Sequence, residues 1–289
     1  MYCTRNVSDS VVWVGASDRR LALFENLFPI PRGVSYNSYL ILDEKTALLD
    51  TTDASVTRQY LENVSHSLNG KPLDYLIINH MEPDHCANIA ELLLRYPHLT
   101  LVGNAKTFAF VSQFYDLDLT GRTLTVKEGD TLCLGSHTLH FFLAPMVHWP
   151  EVMVSYESSE KVLFSADGFG RFGAVAKFDE KADWASEARR YYLNIVGKYG
   201  PQVQALLKKA AALDIKTICP LHGPVLTGDL GKYLNYYDLW SSYKAEEPEK
   251  VLVASASIHG HTRAAAHILA EKLRAKGAKV VEMDLTRVD

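Results

Sequence analysis

The strongest constraint on this chain is the run Asn79-His80-Met81-Glu82-Pro83-Asp84-His85. Residues 73–78 before it form a short β-branched and aromatic run that reads as a buried strand, and 86–94 after it have helical apolar spacing. Four potential metal ligands therefore share one loop at the end of a strand. Mixed imidazole and carboxylate donors suit borderline or hard cations such as iron, zinc or manganese, and an H-x-E-x-D-H spacing is long enough to serve two ions. A polar surface loop is the bland alternative. Three later positions weigh against it: His148 in Val147-His148-Trp149-Pro150, Asp167 after the apolar run from Val162, and His222 in Leu221-His222-Gly223-Pro224. Each follows a run that reads as a strand, where a loop can present a side chain to a shared cleft.

The chain has 289 residues, 47% of them hydrophobic, enough for one large core or two smaller ones. A formal net charge of -4 gives no electrostatic case for nucleic acid or an anionic membrane, and there is no basic stripe. The start, Met1-Tyr2-Cys3-Thr4-Arg5, lacks the apolar core of a signal peptide, and no run approaches the roughly 18 apolar residues of a membrane span. A soluble cytoplasmic protein is expected. Cys3, Cys86, Cys133 and Cys219 are widely spaced with no C-x-x-C, which suggests neither a disulfide framework nor a thiolate metal site.

The spacing predicts strands over 11–15, 36–42 and 46–50, with a long loop over 18–33 between the first two. A helix is expected over 56–67, then the strand that delivers His80, a helix over 86–95, a strand over 99–103 and a helix over 105–115. A set of strands follows between 124 and 167, including a hairpin turned at Gly135-Ser136. Helical spacing returns over 184–199 and 201–213, a strand over 217–220 precedes His222, and a helix over 229–243 closes the unit. Ligands at strand ends with interleaved helices argue for sheets covered by helices.

The set His80, Glu82, Asp84, His85, then His148-Trp149-Pro150, Asp167 and His222-Gly223-Pro224 resembles the metallo-β-lactamase-like domain of flavodiiron proteins, the A-type flavoproteins. Supporting stretches are Arg19-Arg20-Leu21-Ala22-Leu23-Phe24-Glu25, Gly33-Val34-Ser35-Tyr36-Asn37-Ser38-Tyr39 and Arg189-Arg190-Tyr191-Tyr192. The resemblance implies an α/β fold of four αββα layers over 1–243. It also implies two iron ions, one held by His80, Glu82 and His148, the other by Asp84, His85 and His222, with Asp167 between them. Zinc hydrolases of this fold show a second imidazole where Glu82 stands. An added anionic oxygen donor favours oxidised iron and redox chemistry over a zinc hydroxide.

Beyond a charged linker at 244–250, the segment 251–289 reads as strand, hydroxyl-rich turn, helix and strand. Free N–H groups and the helix dipole at such a turn suit a phosphate. The turn is similar to the FMN-phosphate loop of flavodoxins, with Ser255, Ser257, His259, Gly260 and Thr262 as candidate contacts. One βαβ unit is short of the roughly 100 residues or more such a domain needs, so FMN is expected in a longer parent and weak flavin retention in this chain. The resemblance further implies reduction of dioxygen to water or nitric oxide to nitrous oxide, a rubredoxin-like electron donor, a head-to-tail homodimer, and Tyr191 or Tyr192 lining the diatomic pocket. On a helix these two are 100° apart, so one of them is expected to face core. The competing readings are a zinc hydrolase of the superfamily, a metal-binding fragment without turnover, and a non-catalytic assembly module.

Overall fold

The computed structural model describes residues 2–175 and 183–287. They fall into two compact units, 1–242 and 243–289.

The first unit is built on two sheets. The seven-stranded sheet runs Arg5–Asn6, Val11–Trp13, Tyr39–Ile41, Ala47–Leu49, Tyr75–Ile77, Thr100–Gly103 and Thr123–Thr125 in spatial order. The five-stranded sheet runs Thr131–Cys133, Thr138–Leu143, Met153–Glu157, Val162–Phe164 and Thr217–Cys219. Side-chain alternation sorts the strands into layers. Tyr39, Ile41, Ala47, Leu49 and Ile77 meet Leu139, Phe141, Met153, Val162 and Phe164 of the other sheet in one buried cluster. Their neighbours Leu40, Leu48 and Leu76 face outward onto residues of the helices Thr57–Leu68, Ile89–Arg95 and Ala105–Phe114. On the far side Val154, Tyr156, Leu163 and Ile218 pack with Trp184, Ala188, Val203, Leu206, Tyr237 and Trp240 from the helices Trp184–Tyr191, Gly200–Ala210 and Gly231–Ser241. The result is helix, sheet, sheet, helix. Strands buried on both faces read as continuous apolar runs rather than alternating ones.

Three expectations need correction. The run 36–42 is not one strand: Val34–Tyr36 pairs with Ala16–Asp18, whereas Tyr39–Ile41 belongs to the large sheet. Asn37 and Ser38 break it because their polar groups are used elsewhere, Ser38 Oγ donating to the Asp50 carbonyl at 2.9 Å. The helix over 86–95 is two pieces, Pro83–Cys86 and Ile89–Arg95. Asn88 between them sends its side-chain amide to the Thr52 carbonyl at 2.6 Å. The helix over 184–199 changes pitch, from α at Trp184–Tyr191 to a π turn at Tyr192–Val196 and a 3₁₀ turn at Gly197–Tyr199. Apolar spacing alone does not separate these pitches, and π turns recur at functional sites. The loop over 18–33 also contains a small hairpin, Leu23–Phe24 against Phe28–Pro29.

The two sheets are latched by Asp43. Its carboxylate accepts the His137 ring Nδ1–H and backbone N–H, both at 2.8 Å, and the Ser136 hydroxyl at 3.1 Å. Burial pushes this carboxyl up, but the hydrogen bonds from His137 outweigh it and hold it at about 2, below its ordinary 3.8. A depressed carboxylate stabilises the fold above its unfolded pKa and loses that contribution as pH falls through 4 toward 2. Asp43→Asn should therefore lower unfolding free energy by about 1 kcal/mol at pH 7, after allowance for solvent screening, and by much less at pH 2. Urea denaturation at the two pH values checks this; an equal loss at both would contradict it.

In the second unit, Lys250–Ser255 and Lys279–Asp284 pair in parallel, joined by the helix His261–Ala275. Val253 and Ala270 are buried within this unit. Leu252 and Ala254, in register with Val281 and Met283, form an exposed apolar sheet face. Among the described residues no helix is long and apolar enough to cross a membrane.

Candidate metal centre

Each cluster residue leaves the same edge of the two sheets. The strands Ala47–Leu49, Tyr75–Ile77 and Thr100–Gly103 are parallel, as are Val162–Phe164 and Thr217–Cys219, so their following loops converge. The loop bearing His80 is pinned by Asp50, whose Oδ1 accepts the N–H groups of Asn79 at 2.7 Å and His80 at 3.1 Å. The other oxygen of Asp50 accepts the Asn79 side-chain amide at 2.8 Å. Asn79 also ties the sheets together: its carbonyl accepts the Met153 N–H, and its Oδ1 accepts the Ser155 hydroxyl at 2.7 Å. Pro83 then opens the short helix that presents Asp84 and His85, a position where the missing N–H is harmless.

The Gly33-to-Tyr39 stretch has a clear role: it cradles the His222 loop. Ser35 Oγ accepts the Gly223 N–H at 2.7 Å, and the Asn37 amide donates to the carbonyls of Pro220 and Gly223, both at 2.8 Å. Gly33 has φ +70°, and a Cβ there would lie 2.2 Å from the Asp18 carbonyl oxygen, so no other residue fits. Asp167 sits in a tight turn in which Ala166 and Phe169 both have positive φ, 49° and 66°. Non-glycine residues in that region are strained by about 1–3 kcal/mol each, a pattern that clusters at functional sites.

All seven ligand candidates meet. One group comprises His80, Glu82, His148 and Asp167, the other Asp84, His85 and His222, with ligand atoms within each group all inside 4.8 Å. Asp167 faces both. Its Oδ2 lies 3.0 Å from His148 Nε2 and 3.4 Å from His80 Nε2. Its Oδ1 lies 3.3 Å from His85 Nε2 and 3.8 Å from His222 Nε2. Glu82 Oε2 is 3.1 Å from His148 Nε2, and Asp84 Oδ2 is 3.3 Å from His222 Nε2.

These residues fit a pair of cations. Donors held about 2.1 Å from a common ion sit roughly 3.0–3.4 Å apart, and five of the six pairs above fall in that range, the exception being Asp167 to His222 at 3.8 Å. His80 Nε2 and both carboxylate oxygens of Asp84 and Asp167 are buried without a hydrogen bond. Such atoms are costly unless something satisfies them. His80 and His222 each spend Nδ1 as a donor, to Glu151 at 2.8 Å and to the Ser35 carbonyl at 2.7 Å, so that Nε2 turns its lone pair inward. The charged groups of the cluster also act on one another. Burial pulls the His148 imidazole down, but Asp167 and Glu82 outweigh it and push it up to about 9.

The expected tyrosines separate. Tyr191 is fully buried with its ring 5.5 Å from His222, and its hydroxyl has no hydrogen-bond partner among the described residues. Burial, with the charge of Asp167, raises its phenol well above the ordinary range, so it remains a donor. Tyr192 packs instead on Tyr237 at 5.1 Å and Trp240 at 5.4 Å. Ser255 ends the strand Lys250–Ser255, Ser257, His259 and Gly260 lie on the loop after it, and Thr262 is in the first turn of the helix His261–Ala275. There Gly260, at φ +85°, donates its N–H to Ser257 Oγ at 3.0 Å.

Residue-type patterns did not find Asp50, Ser35, Glu151 or Glu25. Glu25 lies at the tip of the Leu23–Phe24 hairpin, an exposed position where it and Asn26 both have positive φ. Loss of water on its cleft side and the Glu82 charge push its carboxyl up to about 7. The quoted stretch ending in Glu25 held the signal, although the loop reads as cover.

A family model described as ODP family beta lactamase matches residues 34–223. A rubredoxin-oxygen oxidoreductase of Megalodesulfovibrio gigas is 32% identical over 287 residues, covering 95% of this chain and 69% of that protein. The chain belongs to the flavodiiron protein family. A nitric oxide reductase of Moorella thermoacetica is 31% identical over 281 residues, with 95% of this flavodiiron chain and 70% of that one aligned. The crystal structure of the flavodiiron protein from Giardia intestinalis superposes with a TM-score of 0.92 at 28% identity, over 100% of this chain and 71% of that one. Against a putative diflavin flavoprotein of Nostoc, this chain spans 50% of the length.

Proposed function

We propose that His80, Glu82, His148, Asp84, His85, His222 and the bridging Asp167 hold two iron ions, and that the centre reduces dioxygen to water or nitric oxide to nitrous oxide. The observation that carries this reading is Asp167, whose two oxygens address two different histidine groups. Relatives named as oxidoreductases acting on these gases support it. When bound, the irons would supply electrons and open positions for a diatomic gas.

The protein's own part is to hold and enclose. Glu151 and the Ser35 carbonyl orient two imidazoles, while Tyr191 keeps a protonated hydroxyl beside His222. Phe24 and Phe172 pack against Tyr191 and wall this side with apolar surface. Glu82 contributes a carboxylate where a hydrolytic relative has an imidazole, which favours a redox metal over zinc.

The organisation that goes with this reading is a metal domain over 1–243, a linker over 244–250 and the start of a flavodoxin-like domain over 251–289. In that domain Ser255, Ser257, His259, Gly260 and Thr262 contact the phosphate of FMN. The rest of the domain covers the Leu252, Ala254, Val281 and Met283 face. A rubredoxin-type donor reduces the flavin, and a head-to-tail homodimer in the cytoplasm brings the flavin of one copy to the metals of the other.

The test needs no flavin. Two nitric oxide molecules take two electrons and two protons to give nitrous oxide and water, and two ferrous ions supply those two electrons. Chain loaded anaerobically with ferrous iron and mixed with nitric oxide should release about one nitrous oxide per pair of irons, or consume dioxygen rapidly in the parallel experiment. Inertness to both gases, with lactam or thioester hydrolysis by the zinc-loaded chain, would overturn the proposal in favour of a hydrolase.

A further inference from the structure

We propose that Glu151 is a positioning residue that makes the two halves of the centre unequal, so that the first ion binds in the half containing His80, Glu82 and His148. This rests on the metal reading above and adds to it an order of filling.

Glu151 is a buried carboxylate whose Oε1 accepts two hydrogen bonds, from His80 Nδ1–H at 2.8 Å and from the Met81 N–H at 2.9 Å. Its own backbone is held in turn, its carbonyl accepting the Asn104 side-chain amide at 2.6 Å. A carboxylate behind a metal-facing imidazole fixes the tautomer and ring angle and draws the N–H proton toward itself, which makes the opposite nitrogen a stronger donor.

The other half has no counterpart among the described residues. His222 Nδ1–H donates to a neutral backbone carbonyl, that of Ser35, at 2.7 Å. The Nδ1 of His85 is buried with no hydrogen-bond partner. Of these three imidazoles, His80 with a buried carboxylate behind it is the strongest and most firmly aimed donor, ahead of His222 with a carbonyl and His85 with nothing. The bridging Asp167 serves both halves, so the difference lies in what stands behind the rings.

Anaerobic titration of metal-free protein with Co²⁺ against a competing chelator, read from the visible bands of bound cobalt, tests the proposal. Wild type should take up two equivalents in two steps at least about tenfold apart in Kd. Glu151→Gln keeps an oxygen acceptor of the same reach but loses the charge; it should weaken the tighter step by about 10- to 100-fold and leave the other unchanged. A role confined to filling space would leave Glu151→Gln like wild type, and equal weakening of both steps would equally overturn the proposal. Wild type crystals carrying one equivalent of Co²⁺ give a check that needs no variant: anomalous density belongs beside His80 and His148, and equal density in both halves contradicts the assignment. Failure of wild type to bind any Co²⁺ would instead refute the metal reading itself.

Discussion

Asp167→Ala should reduce bound iron from two ions per chain to one or fewer and lower gas-reducing turnover by about 10³-fold or more. The magnitude follows because a bridging anion helps to hold both ions, and a metal contribution of several kcal/mol corresponds to at least three powers of ten in rate. Asp167 is fully buried, and its carboxylate oxygens make no hydrogen bond to the protein. What they face are the ring nitrogens of the centre, His148 Nε2 at 3.0 Å and His85 Nε2 at 3.3 Å, so the loss falls on the site rather than on the surrounding fold. The variant should keep the wild-type circular dichroism spectrum, which separates loss of metal from loss of fold. Metal analysis after desalting and nitrous oxide yield check the two halves of the prediction. Two retained irons with near wild-type yield would show that Asp167 is not the bridge.

Asp50→Ala is expected to have the largest effect on stability, about 3–5 kcal/mol, and to weaken metal binding as well. Asp50 accepts the backbone N–H groups of Asn79 and His80 and the Asn79 amide, all buried. Truncation strands these donors, at about 1–3 kcal/mol for each buried group left unsatisfied. Burial pushes the Asp50 carboxyl up to about 6, so the wild-type residue itself contributes less as pH rises from 4 through 6, and the loss in the variant is partly offset at high pH. Because Asn79 also bonds the Met153 N–H and the Ser155 hydroxyl, displacement of the 79–85 loop should spread to the second sheet. Urea unfolding of the metal-free protein reads the stability term, and a change below 1 kcal/mol would contradict it.

Much of the site was legible because its chemistry is concentrated. Four ligands within six positions at a strand end are rare enough to be read locally, and His148, Asp167 and His222 each follow an apolar run that reads as a strand. Sheets covered by helices were legible from the order of the elements, whereas the four-layer arrangement came from the resemblance to flavodiiron proteins. Other features depend on contacts that local patterns do not carry. Asp50 reaches the loop 29 residues on, and Glu151 reaches back 71 residues to His80. The break at Asn37-Ser38 exists because the His222 loop, far along the chain, takes up the Asn37 amide. Tyr191 and Tyr192 could not be told apart from spacing, since both are buried and only the packing of Tyr237 and Trp240 decides which ring turns away from His222.

The proposed centre is a pair of iron ions straddling one carboxylate. Anomalous difference maps collected on either side of the iron absorption edge, from crystals of iron-loaded protein, measure this directly. Two peaks are expected, one beside His80 and His148 and one beside His85 and His222, with Asp167 between them. A single peak, or none near Asp167, would contradict it.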